Sequence, residues 1–280
     1  MQGIFDSHAH YDDKSFDSDR EEVIAMLREK GVAGVINVGC DAESSSRSVA
    51  FARKYPLFWA AVGIHPELAG EVAGFPECCA VPEEAVSPSQ PDWLSPIEAL
   101  LCEDKVVAVG EIGLDYHYDT PGRDIQKTVF EEQLKLAAKY RLPVIIHSRD
   151  ASEDTMTLLR KYRPKGVLHC YSGSAETARE ILKLGMYIGF TGAVSFPNAK
   201  KAKEVAAMLP LDRLLLETDC PYMAPVPFRG KRTTSDMIEY TAAAVAEVRG
   251  ISVGEVVDAA RENAFRLFGI KPLLTAPEQD

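Results

Sequence analysis

Eight short apolar runs, each followed by an amphipathic run of helical period, predict an α/β fold: a single (β/α)8 TIM barrel. The same alternation allows a doubly wound open sheet, and two observations favour the barrel over it. No G-x-G-x-x-G follows the first strand and no G-x-x-x-x-G-K-[ST] occurs anywhere, so the nucleotide signatures of open sheets are missing. The number of strand–helix units also fits one closed ring.

The expected strands are Gly3–Phe5, Val32–Val38, Phe58–Gly63, Val106–Gly110, Pro143–Ile146, Gly166–Leu168, Met186–Phe190 and Arg213–Leu216. They are rich in Val, Ile and Leu and bounded by Gly, Pro or charge, as suits strands buried on both faces. The expected helices begin with Phe16–Lys30, where Val23, Ile24 and Leu27 share a side, and Ala42–Tyr55. Trp93–Cys102 follows, then Thr128–Arg141, which groups Phe130, Leu134, Ala137 and Ala138. Ala151–Tyr162, Ser174–Leu184, Ala199–Met208, Ser235–Val248 and Ser252–Leu267 complete the set. Residues 1–270 read as the barrel, with a long proline-rich loop at about 66–91 and a short polar tail at 271–280.

The chain has 280 residues, 42 acidic against 31 basic, for a formal charge of −11; this excludes a broad basic surface for nucleic acid. No apolar run reaches the roughly 18 residues of a membrane span. Asp6, His8, His10, Asp12 and Asp13 break up any leader-like apolar stretch, and the six cysteines form no C-x-x-C pair. The expectation is a cytoplasmic, monomeric protein with reduced cysteines and no membrane partner.

Five of the six histidines stand just past an apolar strand. His8 and His10 are two apart, so a strand turns both imidazoles to one side. His65, His147 and His169 end the third, fifth and sixth strands; Glu111 follows the fourth, and Glu217 and Asp219 the eighth. In a barrel all of these positions face one mouth, at the C-terminal ends of the strands. Imidazoles and carboxylates converging there suit divalent metal, because such a cluster would be costly to bury uncompensated.

The ordered motifs S-H-A-H, V-G-I-H-P, G-E-I-G-L-D-Y, P-V-I-I-H-S-R, H-C-Y-S-G, L-L-L-E-T-D-C-P-Y and R-G-K-R resemble the TatD family of metal-dependent deoxyribonucleases, a branch of the amidohydrolase-like barrels, over nearly the whole chain. The resemblance implies a (β/α)8 barrel, two divalent ions and hydrolysis of DNA phosphodiester bonds. It implies metal ligation by His8, His10, Glu111, His147, His169 and Asp219, with Glu111 bridging. The chain departs from the family where Thr233-Thr234-Ser235 follows R-G-K-R in place of Asn-Glu-Pro, and in the length of the 66–91 loop.

On this reading His8, His10 and Asp219 surround one ion, and His147 and His169 the other. The ions are Zn²⁺, Mn²⁺ or Mg²⁺, since the mixed donor set does not choose among them. Asp219 orients the attacking water and takes its proton, or serves as a ligand only. Glu217 stands behind the ligands, on a third ion, or packs against the sheet. His65, Arg149, Arg229 and Lys231 are candidate contacts to substrate phosphate, and Arg232 adjoins them. Tyr116, His117, Tyr118 and Tyr171 either stack on bases or pack the mouth. Lys200, Lys201 and Lys203 read as a solvated helix start, and Cys170 and Cys220 as small fillers. The function expected is exonucleolytic trimming of single-stranded DNA ends. The alternatives are a barrel hydrolase of a small-molecule amide, lactone or phosphoester, and a non-catalytic metal-binding scaffold.

Overall fold

The computed structural model describes residues 2–73 and 92–271. Eight parallel strands pair in strict sequence order: β1 (Ile4–Ala9), β2 (Val32–Val38), β3 (Phe58–Val62), β4 (Val106–Asp115), β5 (Val144–Arg149), β6 (Gly166–Leu168), β7 (Tyr187–Phe190) and β8 (Leu214–Leu216). The ring closes between β8 and β1. Ala9 bridges Cys220 in parallel, Asp219 N–H donates to His8 O at 2.9 Å, and His10 N–H donates to Cys220 O at 2.9 Å. This is the (β/α)8 barrel expected.

One apolar cluster contains Phe5, Ile36, Trp59, Val107, Ile145, Val167, Tyr187 and Leu215, one from each strand. Residues of all eight strands can meet only inside the barrel, so this cluster is its plug. The larger cluster packs the outer strand faces against the helices. These are α1 (Arg20–Glu29), α2 (Ala42–Lys54), α3 (Ala69–Ala73), α4 (Ser95–Leu100), α5 (Arg123–Tyr140), α6 (Ser152–Tyr162), α7 (Ala175–Lys183), α8 (Lys200–Met208), α9 (Ile238–Arg249) and α10 (Val253–Phe268). Reciprocal capping boxes, Asp41 with Ser44 and Ser252 with Glu255, start α2 and α10. Leu267 and Phe268 at the end of α10 join the plug, which places it toward the N-terminal half of the strands and leaves the C-terminal half to polar residues. Among the described residues no helix is long and apolar enough to cross a membrane.

Three strands run further than the sequence suggests. β1 continues through Asp6, Ser7 and His8, and β5 reaches Arg149. β4 does not stop at Gly110 but continues to Asp115, with all ten residues buried. Gly113 has φ +147°, and a Cβ there would lie 1.9 Å from His147 O, so this glycine permits close approach of β5 rather than ending the strand. The segment after β3, expected as a loop, opens with a 3-10 turn at Pro66–Leu68 and then α3; residues 74–91 and the tail from 272 lie outside the described residues.

Candidate metal centre

Glu111, buried on β4, is the hub of the strand-end cluster. Its two oxygens face different ways. Oε2 lies 3.3 Å from His8 Nε2, whereas Oε1 lies 2.7 Å from His169 Nε2, 3.0 Å from His147 Nδ1 and 3.7 Å from His65 Nε2. Across the seam, Asp219 Oδ1 is 3.4 Å from His10 Nε2 and 3.7 Å from His8 Nε2, and the two imidazole nitrogens of His8 and His10 are 3.2 Å apart. All six expected ligand residues therefore meet, with His65 beside them.

The hydrogen bonds behind each imidazole decide what its other nitrogen offers. His10 Nδ1 lies 2.9 Å from Val38 O and donates to it, so Nε2 is the nitrogen turned toward the cluster and available to a metal once its own proton is lost. His147 Nε2 lies 2.9 Å from the Asp115 carboxylate, which leaves Nδ1 free in the same sense. His65 is the reverse: its Nδ1 accepts from Glu67 N–H at 3.3 Å, so Nε2 carries the proton and is a donor. His8 and His169 stack at 4.0 Å, and the Nδ1 of each is buried with no hydrogen-bond partner among the described residues.

The charges follow from these contacts. Burial, then the neighbouring His169, lowers His8 to about 4; burial likewise lowers His65 to about 4. Burial also opposes charge on His10 and His147, but the Asp219 carboxylate raises the first to about 9, and Asp115 with Glu111 raises the second to about 10. Burial disfavours ionised Glu111, yet His169, His8 and His65 hold it well below the usual carboxylate range. Converging imidazole nitrogens, two orphaned ring nitrogens and a carboxylate split between two sets of imidazoles fit divalent cations. Three overlapping trios, His8–His10–Glu111, His8–His169–Asp219 and His65–Glu111–His147, have ligand atoms within 4.8 Å of one another.

Asp115 is the functional candidate that the strand-end reading missed. It stands four residues past Glu111 on the same strand and so on the same face. Gln126 on α5 fixes its backbone, donating to Asp115 O at 2.9 Å and accepting from Asp115 N–H at 2.8 Å. Glu217 sits behind the cluster: Ser7 Oγ donates to it at 3.2 Å, Cys170 N–H also donates to it, and its Oε1 lies 3.7 Å from His169 Nδ1. Burial raises Glu217 to about 7. Asp6, fully buried beneath His8, accepts from Thr218 Oγ1 and Ser235 Oγ at 2.6 Å each and ties the seam together. Ser235 belongs to the stretch that departs from the family motif.

A cavity of about 1110 Å³ opens over the cluster. His65 and Arg149 line it; Arg229 and Lys231 do not. Arg229 instead lies over the Phe196 ring, and Arg232 is held in a bidentate pair by Asp19. Of the four aromatic candidates, Tyr116 is tied to Asp154, Tyr171 is buried on Ser174 O and His117 is 3.4 Å from Asp150, while Tyr118 stands exposed at the cavity. Lys200 and Lys201, read from sequence as a solvated helix start, also line the cavity. Helices after barrel strands begin at the mouth, and that is the signal their position in the sequence carried.

A barrel with a histidine–carboxylate cluster at its strand ends defines the class: a metal-dependent hydrolase. Residues 5–269 match the family model described as TatD related DNase, and the chain belongs to that family. It is 42% identical over 270 residues to YabD of Bacillus subtilis (strain 168), described as an uncharacterized metal-dependent hydrolase, covering 95% of this chain and 99% of that one. It is 35% identical over 278 residues to the 3'-5' ssDNA/RNA exonuclease TatD of Cronobacter sakazakii, covering 95% and 97% of the two chains. Among solved structures it resembles YjjV, a TatD homologue from Escherichia coli K12, with a TM-score of 0.82, 33% identity and coverage of 96% and 98%.

Proposed function

We propose that this hydrolase cleaves DNA phosphodiester bonds, working inward from single-stranded ends, with two divalent ions held at the strand ends. The carrying observation is the split of Glu111, one oxygen toward His8 and the other toward His147 and His169. His8, His10 and Asp219 would hold one ion, His147 and His169 the other, and Glu111 both. When bound, the ions supply Lewis-acid neutralisation of phosphoryl oxygens and acidify a water molecule.

The protein's own groups do the rest. Asp219 turns Oδ1 to His8 and His10, leaving Oδ2 to accept the proton of the attacking water. His65, a donor at Nε2, holds a phosphoryl oxygen rather than an ion. Arg149 meets the same charge from the rim. Asp115 fixes the tautomer and angle of His147, and Glu217 stands behind His169. The relative named a single-strand DNA/RNA exonuclease supports a polynucleotide substrate. The test is purified protein with Mg²⁺, Mn²⁺ or Zn²⁺ on end-labelled single-stranded and duplex DNA. Progressive shortening of the single strand is expected. Intact DNA with every metal, alongside turnover of a lactone or amide, would overturn the reading.

A further inference from the structure

The large hydrophobic side chains exposed among the described residues are Tyr118, Tyr222, Met223 and Val226, and the first three line the metal-centre cavity. Single exposed apolar residues scattered over a surface are ordinary, but an exposed set gathered at one cavity marks a ligand. The two tyrosines are placed alike. Tyr118 stands three residues after Asp115, which accepts from its backbone N–H at 3.4 Å; Tyr222 stands three residues after Asp219, whose carbonyl accepts from its N–H at 2.9 Å. Each ring is 61% or 59% exposed yet fixed by a turn to the polar cluster. Tyr118 follows β4 and Tyr222 follows β8, and these strands lie opposite each other in an eight-membered ring.

Cations lie between them. Arg149 rests over one face of Tyr118 at 5.3 Å, and Lys200 and Lys201 line the wall after β7. Among the described residues none of the three forms an ion pair, although acidic residues outnumber basic ones in this chain and seven other lysines have a carboxylate partner. Among the described residues Glu67 is the one carboxylate lining the cavity besides those of the metal centre, and burial raises it toward its neutral form. Lys201 also lines an adjoining cleft of about 260 Å³ whose walls include the hydroxyls of Ser152, Thr155 and Ser172.

Resting on the nuclease reading above, we infer that the mouth is a track for several nucleotides of single-stranded DNA. Bases stack on Tyr118 and Tyr222 on opposite banks, and Arg149, Lys200 and Lys201 carry the phosphates across the metal centre. Stacking on an aromatic ring accepts any base, and unpaired cations follow a backbone, which is how single strands are held without sequence preference. A duplex has its base faces covered and gains nothing from the tyrosines.

The test compares wild type with Tyr118→Ala, Tyr222→Ala, Tyr222→Phe and the double variant Lys200→Ala/Lys201→Ala. Each is assayed on a single-stranded oligodeoxynucleotide of about twelve nucleotides and on bis(p-nitrophenyl) phosphate, too small to span the mouth. Binding of the same oligonucleotide, fluorescein-labelled, is measured in EDTA by anisotropy. Each Tyr→Ala change is expected to raise KM and Kd for the oligonucleotide about fivefold to a hundredfold, with a far smaller effect on the small diester, while Tyr222→Phe keeps its affinity. The double lysine variant flattens the slope of log Kd against log salt by about 1.4. Unchanged Kd in the alanine variants, or equal loss in Tyr222→Phe and Tyr222→Ala, overturns the track. If wild type binds but does not cut, and the variants bind less, the track stands and the nuclease reading falls. If wild type binds no oligonucleotide in EDTA and KM does not respond to the variants, the track itself is wrong.

Discussion

The two halves of the metal centre are backed differently. On the β1–β8 side His10 leans on a neutral backbone carbonyl, that of Val38, and His8 Nδ1, like His169 Nδ1, has no hydrogen-bond partner among the described residues. On the β4–β5–β6 side His147 leans on the Asp115 carboxylate, and His169 has Glu217 behind it. A carboxylate makes an imidazole more basic and a stronger donor than a carbonyl does. On the two-ion reading proposed above, the β5–β6 position would hold its ion the more firmly, and the seam position would exchange more readily. Glu111 couples the two.

Breaking the coupling has the largest expected effect. Glu111→Gln should lower hydrolysis on the order of a thousandfold or more and reduce the bound metal per chain, measured by elemental analysis beside steady-state rates. Asp219→Asn strikes only the seam half. A loss of roughly a hundredfold to ten-thousandfold in kcat is expected, with metal retained at the β5–β6 half; loss of all metal would show that the halves are not separable.

Asp115→Asn sharpens the comparison at its other end. Metal affinity of the firmer site should fall about tenfold to a hundredfold with little change in KM, read by competition against a chelating dye. The same variant should alter proton release. In the metal-free protein His10 titrates at about 9 and His147 at about 10, so both carry a proton at neutral pH. Bound metal must displace these protons, so affinity rises with pH until it passes those values, about tenfold per unit for each proton displaced. Calorimetry in buffers of different ionisation heat should count fewer protons released for Asp115→Asn than for wild type; equal counts would remove Asp115 from the role given it. The smallest effect is at the rim, where Arg149→Ala should raise KM for oligonucleotides severalfold and leave the metal count unchanged.

The spacing of His8 and His10, and the placing of His147, His169, Glu111 and Asp219 after apolar runs, made the barrel and the cluster legible, because strand period and strand end are written locally. Asp115 was hidden for an equally local reason. Gly110 read as the end of the strand, when in the fold Gly110 and Gly113 both admit β5 against β4, so the last face of that strand went uncounted. The basic triplet Arg229, Lys231 and Arg232 shows a different limit. Charge density says nothing about direction, and Asp19, distant in sequence, claims Arg232. Lys200 and Lys201 have the same ambiguity, resolved only by where α8 begins.

The barrel's seam carries one more meaning. Asp6 and Thr218, which join its two edges, are 212 positions apart, and His8 meets Asp219 beside them. A chain leaving the ribosome therefore displays its first two histidines long before their partner carboxylate exists. The strand-end cluster is completed by the same hydrogen bonds that shut the ring, so a half-made or broken copy lacks the full set of donors.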